Sequence, residues 1–414
     1  MLIKFIQGGI IMFGKGILDG VRVLGIEQQV AAPYCTMMLA DQGAEVIKVE
    51  RTGSGDSARE MAPIMKNGDN KTSGYFLRFN RNKKSVTVDF SKPEGVEIIK
   101  GLIAQSDIIV ENFKPGMMDK FGLDWETIHK INPQAVYVTI SGFGRNPKKQ
   151  GPFNKRTAYD IVVQAMAGMM HLAGQAGGPP TWLGIAIGDV GTGVFAAYAA
   201  MLGYIKRLKT GEGEFIDVSM YDCMIALAER AHNNYCFTRK VLKRGPDPLI
   251  CPWGPFEAKD GFVALIVPTE KTWAQFCKTM GREDLIREDL NSGPKRAAHF
   301  DELLPIIKNW MSDKTKNEVC DLLMAQGLPC GPVQTSEDVY NCPHAKAREM
   351  FITVPDKVMG QVEMVGSPFK LDGEEPIYGA APLLGEHNDL VLKEILGYDD
   401  EKIAALKSGK VIEK

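Results

Sequence analysis

A single carboxylate, Asp189, stands inside the run Trp182-Leu-Gly-Ile-Ala-Ile-Gly-Asp-Val-Gly-Thr-Gly193, where every other residue is apolar, glycine or threonine. The helical pattern Val194 to Lys209 follows it, rich in Ala, Leu, Met and Tyr. Near the start of such a helix, the free N–H groups favour negative charge. The flanking glycines let a ligand approach the backbone closely. Asp189 so placed is either a nucleophile or a helix cap, and taken alone the stretch reads more readily as a cap.

Elements able to position such a group are visible upstream. Val21 to Ile26 is a short apolar strand; Pro33 opens a helix to Asp41, which Gly43 closes; Glu45 to Glu50 is a second strand. This βαβ start predicts an α/β fold with a parallel sheet. The first turn, Glu27 to Ala32, lacks G-x-G-x-x-G, which argues against a nicotinamide enzyme. Arg51 to Asn82 reads as a long polar loop, a common site of binding. Further strands are expected at Ser85–Phe90, Asp107–Phe113, Gln134–Ile140 and Glu214–Met220, with a helix from Pro93 to Gln105. Ligands of open α/β sheets bind at the carboxyl ends of strands. Those ends carry Glu27 to Val30, Arg51, Asn112 with Phe113, and Ser141 to Gly144. Tyr159 to Ala173 is expected as one amphipathic helix, its methionines serving as adaptable core.

At 414 residues the chain is expected to form two domains. Residues 1–227 begin a large α/β domain, 228–330 form a small α+β domain, and 331–414 return to the first. A cluster of charges, prolines and turns from Arg239 to Pro255 marks the junction. The net charge of −2 gives no reason to expect nucleic acid as a partner, and no apolar run reaches membrane-spanning length. The eight cysteines form no C-x-x-C pair, which favours a reducing, cytoplasmic setting. The apolar start is broken by Gln7, Gly8 and Gly9 and lacks a cleavage site. An extended start, with Met12 an alternative to Met1, is a simpler account than a signal peptide.

Several motifs occur in a fixed order: Gly43-Ala-Glu-Val-Ile-Lys-Val-Glu-Arg51 with Gly53-Ser-Gly-Asp56, Glu111-Asn-Phe-Lys-Pro-Gly116, Ser141-Gly-Phe-Gly144, Ala158-Tyr-Asp160 with Gln164-Ala165, Asp189, and Thr210-Gly-Glu-Gly213. Gly327-Leu-Pro-Cys-Gly-Pro-Val333 and Ala381-Pro-Leu-Leu-Gly-Glu-His387 follow. Each is weak alone; their order and spacing together are specific. From Leu18 to Gly397 the chain resembles the family III coenzyme A transferases, the CaiB/BaiF group.

The resemblance implies a large Rossmann-like domain, a smaller α+β domain and an interlocked, ring-like homodimer. Asp189 matches the family's acyl-carrying nucleophile. Its attack on a thioester yields a mixed anhydride and a CoA thiolate, dividing one hard exchange into easier steps. The anhydride must be kept from water, and glycine N–H groups nearby are expected to hold the oxyanion. CoA contacts of the family match Val30, Ala31, Arg51, Val88, Asn112, Phe113, Lys120, Tyr159 and Met220. Arg51 and Lys120 suit phosphates, Phe113 the adenine, and Tyr159 the thioester. Each has a plainer alternative: solvated charge for the two cations, core packing for Phe113, a cap for Tyr159. The implied partners are an acyl-CoA and a small carboxylic acid, with no metal and no permanently bound cofactor.

Two departures bear on specificity. Thr157 stands where the formyl-CoA transferases have a lysine, and Leu249 to Pro255 holds only Gly254 where they have a glycine run. The expected acceptor is therefore larger or less acidic than oxalate: a branched, aromatic or betaine-type acid. A lid around Cys251-Pro-Trp-Gly254 would offer Trp253 as an apolar wall, or Trp253 would simply pack. The rival within the superfamily, a 2-methylacyl-CoA racemase, needs a histidine base where this chain has Tyr159, and tyrosine has a pKa of about 10. A non-catalytic CoA-binding protein is the third reading.

Overall fold

The computed structural model describes the backbone of residues 3–6 and 9–12 and all of residues 16–245 and 247–413. Met1, one of the two candidate starts, lies outside the described residues. Six short runs rich in Val and Ile form one sheet: β1 (Arg22–Ile26), β2 (Glu45–Glu50), β3 (Lys83–Thr87), β4 (Ile108–Glu111), β5 (Val136–Ser141) and β6 (Glu214–Ser219). Their order is β3-β2-β1-β4-β5-β6, with every pair parallel. Both faces are covered, which is why the central strands are almost continuously apolar. Val23, Val110 and Val138 face a cluster with Leu39 of α1 (Ala31–Asp41). Leu24 and Ile109 face Ile98, Ile99 and Leu102 of α2 (Pro93–Ala104). Each of those α2 side chains stabilises the fold by about 1.5–3 kcal/mol through burial, which outweighs any propensity difference at one position. Strand order reverses between β1 and β4, so the crevice beyond their carboxyl ends is the expected ligand site.

Two helices differ from the sequence expectation. The helix after the apolar run, α4 (Ile187–Thr210), starts well before Val194 and takes in Gly188, Gly191 and Gly193. These glycines are packing positions rather than a loop. A Cβ on Gly188 would sit 2.8 Å from Val163 Cγ2 and 2.9 Å from Asp160 Oδ1. The expected helix from Tyr159 to Ala173 is broken at Gly168, whose φ is +79°. It becomes α3 (Asp160–Met166) and a single turn, Met169–Leu172. Ile161 and Met166 are exposed, while Met169 is half-buried and packs against the α1-side core.

The chain divides into two units. The second comprises His171–Thr181 and Leu242–Arg348. Its antiparallel sheet joins Trp253–Ala258, Gly261–Ile266 and Cys330–Pro332, over a core with Trp273, Phe276, Leu303 and Val319. The borders at 228 and 330 shift for local reasons. Glu229–Thr238 follows directly on the helix Met220–Leu227 of the first unit. The Lys316–Asp338 pair, at 3.1 Å, ties Ser336–Asn341 to the second. Glu349–Lys414 belongs to the first unit, where Val391, Leu392 and Ile403 enter the α2-side core. No helix among the described residues is long and apolar enough to cross a membrane.

Candidate active site

Asp189 is the third residue of α4 and caps nothing: the N-cap position is Ala186, with no side-chain cap bond. The cap comes from another helix. Asp160, the first residue of α3, accepts from Gly188 N at 2.7 Å. Gln164, one turn on, donates to both Asp160 oxygens at 2.8 Å and to Ile185 O at 3.0 Å. Trp182 Nε1 adds a fourth contact at 3.3 Å. Asp189 is left with no donor among the described residues. Burial, and then the negative charge of Asp160, push its carboxyl up to about 7. The α4 dipole opposes this, but a terminal dipole contributes only about 0.3–1 kcal/mol. The expected glycine oxyanion donors are not free. Gly188 N is spent on Asp160, and Gly191 and Gly193 lie in the helical ladder.

Asp189 lines a cleft of about 510 Å³ at the switch point. Six of the expected CoA residues line it too: Val30, Ala31, Asn112, Phe113, Tyr159 and Met220. Asn112 bridges the two switch-point loops, accepting from Gln28 N at 3.0 Å and donating to Gln28 O at 2.8 Å. Val30 and Ala31 sit at the start of α1 and are buried, while Tyr159 is 70% exposed. A second cleft, about 460 Å³, shares Gln28, Phe113 and Lys114 with the first and contains Arg51 and Val88. Arg51 is oriented by Ser54 Oγ, 3.1 Å from Nε and 2.6 Å from Nη2. Phe90 meets the Phe113 ring edge-on at 6.0 Å, and both rings line the second cleft. Lys120 lines neither cleft; it ends the turn Met117–Lys120, exposed.

Behind these loops lies a cluster of fully paired buried charges. Lys83 meets Glu27 at 2.7 Å, and Lys48 meets Asp56 at 2.8 Å and Glu27 at 3.6 Å. Asp56 also accepts from Ala58 N and from Gln29 N, holding Gln29 at φ +66° in the wall of the Asp189 cleft. Glu50 takes Arg59 at 2.6 Å and Ser85 at 2.7 Å. Burial would raise Glu50, but those bonds outweigh it and bring its carboxyl down to about 2. Burial pushes the Lys83 ammonium down to about 8 against the pull of Glu27.

The two clefts adjoin through Gln28, Phe113 and Lys114, with the Asp189 carboxylate lining the first and Arg51 the second. Residues 18–388 match the family described as CoA-transferase family III. The chain belongs to that family. It is a CoA-transferase, and it is 37% identical over 384 residues to succinyl-CoA:mesaconate CoA-transferase of Haloarcula hispanica, covering 92% of this chain and 96% of that one. It is 35% identical over 405 residues to succinyl-CoA:glutarate CoA-transferase of Mus musculus, covering 96% and 90%. A crystal structure of a CaiB/BaiF family protein from Brucella suis superposes with a TM-score of 0.82 at 31% identity, covering 92% of this chain and all of that one. In this transferase, sequence reasoning passed over Lys114, Arg156, Asp160 and Gln164 as site residues. Asp160 and Gln164 had a signal: a four-residue spacing that puts both on one helix face beside Asp189's run.

Proposed function

We propose that the chain exchanges coenzyme A between an acyl-CoA and a carboxylic acid through covalent intermediates on Asp189. The observation that carries this reading is the Asp189 carboxylate: no donor among the described residues occupies it, and it shares one cleft with six of the matched CoA residues. A carboxylate without hydrogen bonds is a better nucleophile than a solvated one, and its raised pKa keeps it titrating near neutrality. Asp189 attacks the thioester carbonyl, forming a mixed anhydride as CoA leaves as thiolate. The thiolate attacks the aspartyl carbonyl, releasing the donor acid and leaving an aspartyl-CoA thioester. The acceptor carboxylate attacks that thioester, and the returning thiolate takes the new acyl group, freeing Asp189. Atoms balance with no water consumed, so the cleft must stay dry while the anhydride exists.

The names of the two relatives, which pair succinyl-CoA with mesaconate or glutarate, favour a dicarboxylic acid pair here. Such an acceptor is larger than oxalate, in line with Thr157 and the missing glycine run. No histidine lines the Asp189 cleft among the described residues, which counts against the racemase. A homodimer is favoured by the outer face of α4, where Val194, Tyr198, Leu202, Ile205 and Leu208 are 45–68% exposed at helical spacing. The eight free cysteines support a cytoplasmic setting.

Hydroxylamine tests the chemistry. With acyl-CoA present it is expected to inactivate the enzyme and leave a hydroxamate on the peptide carrying Asp189, read by mass spectrometry. Inactivation without acyl-CoA, or a label elsewhere, refutes the covalent route. Light scattering of Leu202→Glu against the parent chain tests the dimer: a parent monomer rules it out.

A further inference from the structure

The lining of the Asp189 cleft includes two cations, Lys114 and Arg156, and two carboxylates, Asp160 and Asp189. Asp160 is committed to Gly188, Gln164 and Trp182. Lys114 also lines the second cleft, beside Arg51, where the nucleotide phosphates would lie. Arg156 lines the Asp189 cleft alone.

Arg156 is held in an unusual way for a surface cation. Its guanidinium lies over the Phe153 ring, 4.0 Å from the centroid, and its backbone N–H donates to Phe153 O at 2.8 Å, closing the turn that brings the two side chains together. Phe153 meets Phe143 edge-on at 5.7 Å, and Phe143 packs on Tyr221 at 5.8 Å. This aromatic column backs the guanidinium from one side. Arg156 lines the Asp189 cleft, and no carboxylate among the described residues pairs with its guanidinium. A stacked, flat fork of donors suits a carboxylate taken bidentately. Stacking also lowers the entropy lost when the ligand arrives, so this contact is stronger than a loose surface pair.

We propose that Arg156 is the specificity-determining residue for a dicarboxylic acyl group, binding the distal carboxylate while the thioester carbonyl faces Asp189. The inference rests on the transfer reading above, since it takes Asp189 as the reacting end of the cleft. It makes the site select succinyl-type acyl groups over monocarboxylic acyl groups of equal length.

The test separates recognition from chemistry. In an Asp189→Ala background, which removes turnover, the affinities for succinyl-CoA, butyryl-CoA and free CoA are measured by calorimetry, with and without Arg156→Gln. Loss of one charge-assisted contact is expected to weaken succinyl-CoA about 10- to 100-fold and leave butyryl-CoA and CoA within about threefold. Arg156→Lys, which keeps the charge but not the fork, should recover part of the loss. Equal weakening of all three ligands would show that Arg156 holds CoA itself, and unchanged succinyl-CoA binding would make it a solvated cation; either overturns the proposal. The transfer reading fails separately, by full exchange activity in Asp189→Ala alone.

Discussion

Asp189 and Asp56 are both carboxylates set against ligand-facing backbone, and their surroundings are opposite. Asp56 receives Lys48 at 2.8 Å and the N–H groups of Gln29 and Ala58, and it is 3% exposed. Asp189 has no donor among the described residues, and burial, then the nearby Asp160 charge, raise its carboxyl to about 7. A carboxylate with every lone pair engaged holds loops in place but is a poor nucleophile. One left without donors is costly to ionise and ready to react. The transferase has both, one behind the loops and one facing the cleft between them.

Removing the unpaired member should have the largest effect. Asp189→Ala is expected to lower CoA exchange by about 10⁴-fold or more, the order seen when a covalent nucleophile is deleted. CoA affinity by calorimetry should change little, because the matched CoA residues are untouched. Exchange near the parent rate would end the comparison.

Removing a member of the paired cluster should act on stability first. Lys48→Met leaves Asp56 and Glu27 short of a buried partner, and breaking such a pair costs about 3–5 kcal/mol. Urea denaturation measures this. Adding Asp56→Leu should give back part of the loss, as expected when the cost is an orphaned charge; additive losses would argue for packing instead.

Arg51 tests the far end of the double cleft. Arg51→Ala is expected to weaken CoA about 10- to 100-fold while leaving turnover at saturation close to the parent value. A fall in kcat with KM unchanged would move Arg51 from binding to chemistry.

The pH dependence should be the subtlest readout. Nucleophilic attack needs ionised Asp189, so the acylation rate should rise about tenfold per pH unit below about 7 and flatten above it. Stability runs the other way. The folded chain holds this proton up to about pH 7, whereas an unfolded Asp loses it near ~3.9, so ionisation destabilises the fold as pH rises between those values. Asp189→Asn should therefore have a higher Tm than the parent at pH 8, with the gap closing below about pH 4. Asp160→Asn removes the like charge and should shift the rate profile to lower pH. An unmoved profile would leave burial as the sole cause.

Much of the frame was legible because parallel strands buried on both faces advertise themselves. Val21–Ile26, Glu45–Glu50 and Gln134–Ile140 are apolar runs between turn signals, and all become strands of the sheet. The helix from Tyr159 was misread because periodicity does not register a single glycine at positive φ, here Gly168. The start of α4 was misread because glycine is a poor helix former, and its use here depends on a neighbour, Val163, that no local window contains.

The residue types at the site, an aspartate among apolar residues and polar groups at strand ends, were set by the chain itself. So was the expectation of CoA, through the order of the motifs. What only tertiary structure decided was which charge each group meets. Asp160 accepts from Gly188 N, Gln164 and Trp182; Asp56 finds Lys48 beside Glu27; Arg156 rests on Phe153 and lines the cleft. Hydrogen bonds need direct contact and charge interactions weaken with separation, so reactivity depends on contacts between segments far apart in sequence. Asp189 differs from an ordinary helix-start aspartate because it is buried beside Asp160, which supplies the α4 cap in its place.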